Sequence, residues 1–347
     1  MPSRSTPQRP LRRALALLPL SALVLAACGD AAPTAAPTGT TASDGASDGA
    51  TASATYPVTV DNCGVEVTVE SPPQRVVTIK SSTTEVLLAL GLADRIVGAS
   101  FLDGPVPTAL ADAAVDLPIL SERAPGPEAV LTAEPDLVYA GWESNFSAES
   151  AGDRAGLADL GVLSYVSPSA CKGEGYQPDP LTFDDVFAEI LEAGQVFGAT
   201  DAAQALVDDQ RAALGTVEPD DRGLTALWYS SGSDVPYVGA GIGAPQMIMD
   251  AVGLENIAGD VHDTWTSFGW EQVVEDDPDV IVLVDAAWNT AENKIEVLES
   301  NPATARLTAV QQGRYLTVPF AASEAGVRNV DAVRDLADQL RQLGIDG

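Results

Sequence analysis

The 347-residue chain contains one histidine (His262), three cysteines (Cys28, Cys63, Cys171) and three lysines (Lys80, Lys172, Lys294). One histidine and no Cys/His cluster leave too few ligands for a bare zinc or manganese ion, so neither a metal site nor a cofactor is expected. Positive charge is scarce throughout: 18 Lys and Arg face 50 Asp and Glu, a net charge of −32. Such a surface repels phosphate backbones and anionic lipid, which excludes nucleic acid as a partner. The plain reading of the charge is a solvated, salt-tolerant exterior. The chain also has no Gly-x-Ser-x-Gly elbow and no phosphate-loop lysine. A secreted α/β hydrolase therefore needs Ser230 or Ser231 with His262 in an unrelated geometry, and it stands as the enzymatic alternative to a binding protein.

The apolar run Ala14 to Ala27 is too short to serve as an anchor helix, and Arg4, Arg9, Arg12 and Arg13 precede it. This is the layout of a secretory leader over residues 1–28. Every acidic residue lies after position 28, so removing the leader leaves 14 basic residues against 50 acidic, a net of −36. Residues 29–55 are almost wholly Ala, Thr, Gly, Ser, Asp and Pro. They hold no large apolar side chain to offset the entropy of ordering, which predicts a disordered tether.

Folded sequence is expected from Tyr56. The alternation in Tyr56 to Val69 around Asp61-Asn62-Cys63-Gly64 predicts a hairpin. Export places Cys63 and Cys171 in an oxidising compartment, where the two are expected to pair; free buried thiols are the alternative. Buried-type strands at 75–79, 95–98, 137–140 and 162–166 alternate with helical segments, which predicts a parallel sheet covered on both faces.

The same grammar returns after residue 218. Pro127 to Trp142 and Trp270 to Trp288 share one order: helix, acid-Pro-Asp turn (Glu134-Pro135-Asp136, Asp277-Pro278-Asp279), strand, tryptophan-bearing loop. Two related lobes follow, at 56–181 and 218–347. Between them Phe183, Val186, Phe187, Ile190, Leu191 and Val196 recur at helical spacing after Thr182, with Asp185 three residues on. Residues 182–217 are thus expected to form one long helical beam, interrupted at Gly198-Ala199-Thr200. Val327 to Leu343 is expected as a closing amphipathic helix on the second lobe.

Several segments resemble the substrate-binding proteins of ABC importers for ferric siderophores and cobalamin. They are Pro73 to Val77 with Thr84 to Gly91, the Glu128 helix with Glu134 to Val138, Met247 to Asn256, and Trp270 to Val284. The resemblance implies two Rossmann-like α/β lobes with parallel sheets joined by one long rigid helix. A shallow ligand cleft lies between the lobes, and the protein works as a monomer. It also implies docking on a permease dimer and its ATPase through one acid per lobe, here Glu128 and Asp250. Leu25-Ala26-Ala27-Cys28 resembles a bacterial lipobox, which implies lipidation of Cys28 and a place on the extracytoplasmic face of the cell membrane. The wording at 78–81, 140–145, 241–246, 285–290 and 321–328 is similar to an actinobacterial subgroup proposed to import a precursor of the deazaflavin coenzyme F(420).

Ligands of open α/β sheets lie beyond the carboxyl ends of the strands. That rule, with the resemblance, nominates Lys80, Ser81, Ser82, Trp142, Glu143, Asn145, Trp228, Tyr229, Trp288, Asn289 and Arg328. Flat rings and isolated cations suit a large, partly aromatic, anionic ligand: a ferric siderophore, cobalamin or a deazaflavin precursor. Each tryptophan has a packing reading beside the ligand one, and Trp265 and Trp270 lean towards packing. Gly239, Gly241 and Gly243 form either a phosphate cradle or a tight strand-to-helix turn.

Overall fold

Short apolar runs between Gly, Pro and Asp become strands of two separate sheets. The computed structural model describes residues 55–345, so the leader, Cys28 and all but the last residue of the tether lie outside the described residues. β1 (Val58–Asn62) and β2 (Val65–Val69) form the expected hairpin. Its turn residues Cys63 and Gly64 both have positive φ, 54° and 77°, as a two-residue hairpin loop demands. The Asn62 side chain docks the hairpin on the first sheet, donating to the Val166 carbonyl and accepting from its N–H, each at 2.8 Å. A Cys63–Cys171 disulfide closes the same corner.

In the first sheet β3 (Val76–Ile79) and β6 (Leu137–Ala140) are buried at every position. They are flanked by β4 (Ile96–Ser100), β5 (Ile119–Ser121) and β7 (Leu163–Val166) in the order β5-β4-β3-β6-β7, all parallel. α1 (Ser81–Ala89), α2 (Pro127–Thr132) and α3 (Arg154–Asp159) supply the crossovers.

The second sheet departs from the all-parallel expectation. β8 (Thr225–Ser231), β10 (Glu255–Asn256), β12 (Val280–Asp285) and β13 (Tyr315–Pro319) are parallel, whereas β9 (Tyr237–Gly239) and β11 (Trp265–Ser267) add an antiparallel edge. The reason is length. Only residues 232–236 separate β8 from β9, and a parallel return needs a crossover of about a dozen residues. α6 (Ala244–Val252), α7 (Trp270–Asp276), α8 (Ala291–Ser300) and α9 (Thr308–Gln312) complete this half.

The repeated acid-Pro-Asp turns do the same work twice. Asp136 accepts from the N–H groups of Gln74 and Arg75 at the start of β3, at 2.6 and 3.1 Å. Asp279 accepts from Thr225 N and Oγ1 at the start of β8, at 2.9 and 3.0 Å. The residue before each proline, Glu134 or Asp277, is left-handed (φ 46° and 39°), since the proline ring disfavours the right-handed helical region there.

Thr182 and Asp185 form the expected capping box, Thr182 N donating to Asp185 Oδ2 at 2.8 Å. The single rod is corrected, however. The stretch is α4 (Phe183–Val196) followed by α5 (Thr200–Leu214), folded back on it as a hairpin. Gly198 has φ 70°, and Gly194 packs so closely on Ala203 that no side chain fits between. Arg211 Nη2 therefore lies 3.1 Å from Asp184 Oδ1, two groups that one straight helix would separate by about 40 Å. The pair still touches both halves. Phe197 packs on Tyr139 and Tyr165 (centroids 5.4 and 6.3 Å), Leu181 N donates to Ile242 O at 3.0 Å, and Gln210 Nε2 to Val327 O at 2.8 Å. The closing helix α10 (Asn329–Gln342) buries Val330, Val333, Leu336, Ala337 and Leu340 against α6 and β13.

The disulfide joins residues 108 apart. Loop closure on that scale confines the unfolded chain by about 4–5 kcal/mol. Replacing Cys63 and Cys171 together by Ser is expected to lower unfolding free energy by up to that amount in urea titrations. Reductant should then affect the parent and leave the double variant unchanged.

Candidate functional site

The carboxyl ends of both sheets face a common cleft of about 470 Å³. The first half contributes Ser82 after β3, Gly141, Trp142 and Glu143 after β6, and Ser167, Ser169 and Lys172 after β7. Tyr237, Ile242, Asp263, Thr264, Trp265, Phe320, Ser323 and Glu324 line it from the second half. Side-chain hydrogen bonds cross from one half to the other here: Trp142 Nε1 to Glu324 Oε2 at 2.7 Å, and Lys172 Nζ to Thr264 Oγ1 at 3.0 Å. Tyr237 and Trp265 stack with centroids 6.1 Å apart and planes at 14°. Burial pushes the Glu324 carboxyl up, opposed by Lys80, Trp142 and Lys172 and assisted by Asp103.

Lys80 was expected at this surface and is instead beneath it. It is fully buried, its ammonium bonded to the Asp103 carboxylate. Nζ lies 3.8 Å from the Trp142 ring centroid, 4.6 Å from Phe101 and 5.0 Å from Phe320. The chain enters α1 directly after β3, four residues earlier than the apolar pattern from Glu85 signals, with Lys80 at φ 90° as the pivot. Ser81 is consumed by the same carboxylate: its N–H donates to Asp103 Oδ2 at 3.3 Å and its Oγ accepts from Asp103 N at 2.8 Å. Gly141 completes the floor, since a Cβ there would sit 2.8 Å from Lys80 Cβ and from Ser82 Oγ. Of the three residues 80–82, only Ser82 lines the cleft.

Other nominated residues also move. Trp228 and Tyr229 lie in the middle of β8, buried to 0% and 1% exposure, because the strand runs on to Ser231. Tyr229 donates to Gly232 O at 2.7 Å and packs edge-on to Trp270, and Ser230 is the residue of that strand that reaches the cleft. Asn145 is buried behind Trp142, whose N–H it accepts at 3.0 Å, so it positions the tryptophan rather than lining the cleft. Trp288 is 63% exposed, outside the cleft lining, and meets Phe320 edge-on (centroids 5.8 Å apart) and the Lys294 ammonium, 5.9 Å from its ring centroid. Asn289 closes a turn whose carbonyl accepts from buried Lys294 Nζ at 2.6 Å, and burial lowers that ammonium to about 8. Arg328 is taken up by Glu85 of the first half and by the Pro105 carbonyl, a further tie between the halves, outside the cleft.

The two cations that suggested an anionic ligand, Lys80 and Arg328, are thereby each paired with a carboxylate. Trp265 lines the cleft, whereas Trp270 is buried and donates to Ser233 O at 2.8 Å. Gly239, Gly241 and Gly243 serve chain packing: side chains there would strike Pro245, the Gly259 carbonyl and Thr264. Glu128 and Asp250 are both exposed, on α2 and α6. The residues that went unnominated, chiefly Lys172, Tyr237, Asp263, Phe320, Ser323 and Glu324, follow β7, β8, β11 and β13 or precede them. One signal was available for Lys172: it is one of only three lysines. Among the described residues no group of three or more His, Cys, Asp or Glu side chains is placed to hold a metal ion.

A family model for periplasmic binding proteins matches residues 76–322. The chain belongs to the periplasmic binding protein family. An ABC transporter substrate-binding lipoprotein of Bacillus subtilis, YvrC, itself described as uncharacterized, is 26% identical over 335 residues, 94% of this chain and 95% of that protein. A cobalamin-binding protein of Halobacterium salinarum is 28% identical over 239 residues, 65% of this chain and 58% of its own length. The structure of an ABC-type Fe3+-hydroxamate transport system from Saccharomonospora viridis matches with a TM-score of 0.70 at 26% identity, over 82% of this chain and 99% of that one.

Membership in a solute-binding family lends the hydrolase alternative no support. His262 is paired with Asp179 on the surface at 2.7 Å, and that carboxylate holds the imidazole above its ordinary value.

Behind the cleft wall, Glu189 accepts from Ser169 N at 3.2 Å while buried, and burial raises its carboxyl to about 6. Between 4.5 and about 6 the folded periplasmic binding protein holds a proton that the unfolded chain has released. Stability therefore falls as pH rises through that window, and the loss is complete above it. Glu189→Gln, which keeps the acceptor oxygen, is expected to gain about 2 kcal/mol at neutral pH and nothing below about pH 4 in urea unfolding. Lys80→Met leaves Asp103 buried and unpaired and is expected to lose about 3–5 kcal/mol by the same measurement, most of it recovered when Asp103→Leu is added.

Proposed function

We propose that this chain is the lipid-anchored, extracytoplasmic substrate-binding component of an ABC importer. It captures a ferric siderophore, cobalamin or deazaflavin coenzyme precursor between its halves as a monomer and delivers it to a permease dimer with its ATPase. The observation that carries this reading is the cleft itself. Trp142, Trp265, Tyr237 and Phe320 supply apolar faces at the carboxyl ends of two sheets, and the hydroxyls of Ser82, Ser167 and Ser169 add hydrogen-bonding groups. The similarity to a substrate-binding lipoprotein, a cobalamin-binding protein and an Fe3+-hydroxamate transport protein supports the class of ligand. Lipidation at Cys28 is supported by the leader and by the lipoprotein relative.

Docking through Glu128 and Asp250 is what the family resemblance implies, and their exposure on helices of different halves is compatible with it. Charge reversal there touches neither the cleft nor the core.

Titration of tryptophan fluorescence with ferric hydroxamates, cobalamin and deazaflavins is expected to show saturable quenching by one class. Trp142→Ala should weaken it at least about tenfold, the loss of one large aromatic anchor. Glu128→Lys with Asp250→Lys should leave quenching intact and abolish uptake by cells in which the variant is the sole copy. Absence of quenching by every class would refute the reading.

A further inference from the structure

The charge lining the cleft is not what the charge of its nearest residues implies. Of the basic groups beside it, Lys80 is closed off by Asp103 and Arg328 by Glu85. Among the described residues Lys172 is the one basic side chain of the lining, which it shares with three carboxylates: Glu143, Asp263 and Glu324. Each of those carboxylates has one oxygen engaged. Glu143 Oε2 accepts from Lys172 N at 2.8 Å, Asp263 Oδ1 from Thr264 N at 2.6 Å, and Glu324 Oε2 from Trp142 Nε1 at 2.7 Å. The second oxygen of each has no hydrogen bond among the described residues. Even with Glu324 protonated, Glu143 and Asp263 outweigh Lys172.

A second, independent feature marks this place as built for a ligand. Ser323 lines the same cleft at 1% exposure, and its Oγ has no hydrogen-bond partner among the described residues. A buried hydroxyl left without a partner is disfavoured unless something supplies one. Ser323 adjoins Glu324, so a polar group that satisfies the hydroxyl sits beside that carboxylate.

We infer that the cleft selects ligands of net positive charge: a cationic metal chelate or comparable small cation, with an apolar or flat face against Trp142 and Trp265. Its positive end lies toward Glu143, Asp263 and Glu324, and a polar group reaches Ser323. Anionic chelates are disfavoured, because they must leave water to face two or three carboxylates across short distances. The aromatic faces add to the preference for cations. The strongly acidic exterior acts in the same direction during approach. This inference rests on the proposed function and sharpens it, by choosing among the chelates on the sign of their charge.

The test uses the full chain and three ferric chelates that differ in charge: cationic ferrioxamine B, neutral ferrichrome and trianionic ferric enterobactin. Tryptophan quenching is followed at low and at raised salt. The expected order of affinity is cation, then neutral, then anion, with added salt weakening the cation. Glu324→Gln and Asp263→Asn are each expected to weaken the cationic chelate roughly tenfold, and Lys172→Met to tighten it by a similar factor. Misfolding would weaken all ligands together, so the opposite signs separate charge from damage. Tightest binding of the anion, or loss of cation affinity in Lys172→Met, overturns the inference and leaves the importer reading standing. Binding of all three with no order of charge does the same. Failure of every chelate to bind overturns both.

Discussion

An ammonium group withdrawn from water demands a counter-charge, and the cleft is arranged around the place where Lys80 meets that demand. Asp103 supplies the charge, and the faces of Trp142, Phe101 and Phe320 surround what remains. The consequences spread outward. The backbone at Lys80 is left-handed, and position 141 must be glycine because the lysine stem passes against it. Trp142 lies flat on the buried amine, which aims its indole N–H at Glu324 in the other half of the molecule. One buried ion pair thus sets the floor of the cleft and one of the contacts across it.

Around that floor the two sheets use a shared device with different outcomes. Asp136 and Asp279 each pin the start of the neighbouring central strand, so β3-β6 and β8-β12 correspond. The tryptophans that follow do not. Nζ of Lys80 lies 3.8 Å from the Trp142 ring centroid and holds it in the cleft, whereas Nζ of buried Lys294 lies 5.9 Å from the Trp288 ring centroid and is spent on the Val284 and Asn289 carbonyls, so Trp288 stands largely in solvent. The α4–α5 hairpin runs along both halves, and Arg328 with Glu85 ties them on another face. These contacts leave a neutral floor and an acidic rim. That arrangement fits capture of a small molecule by electrostatic sign and aromatic contact rather than by a metal ligand set.

Much of the fold was legible because it depends on local pattern. Four-residue apolar runs such as Val76–Ile79 and Leu137–Ala140 have to be covered on both faces. The Thr182/Asp185 cap and the Cys63-Gly64 turn are decided within a few residues. Errors arose where a local cue was ambiguous. Trp228 and Tyr229 read as a strand end because serines follow, but β8 continues through them. Gly198 read as an interruption in a rod, and it is the reversal of a hairpin.

The sequence alone determined the strands, the repeated acid-Pro-Asp turns, the disulfide pair and the two-sheet α/β architecture, since each follows from neighbours along the chain or from export. Only the tertiary structure decided which charges are free. Lys80 finds Asp103 23 residues away, and Arg328 finds Glu85 across 243 residues. Coulombic pairing depends on distance in space, and spacing along the chain carries no record of it. Hence the cations that suggested an anionic ligand are spent once the chain folds, and the cleft is lined by carboxylates that each keep one oxygen without a hydrogen bond among the described residues.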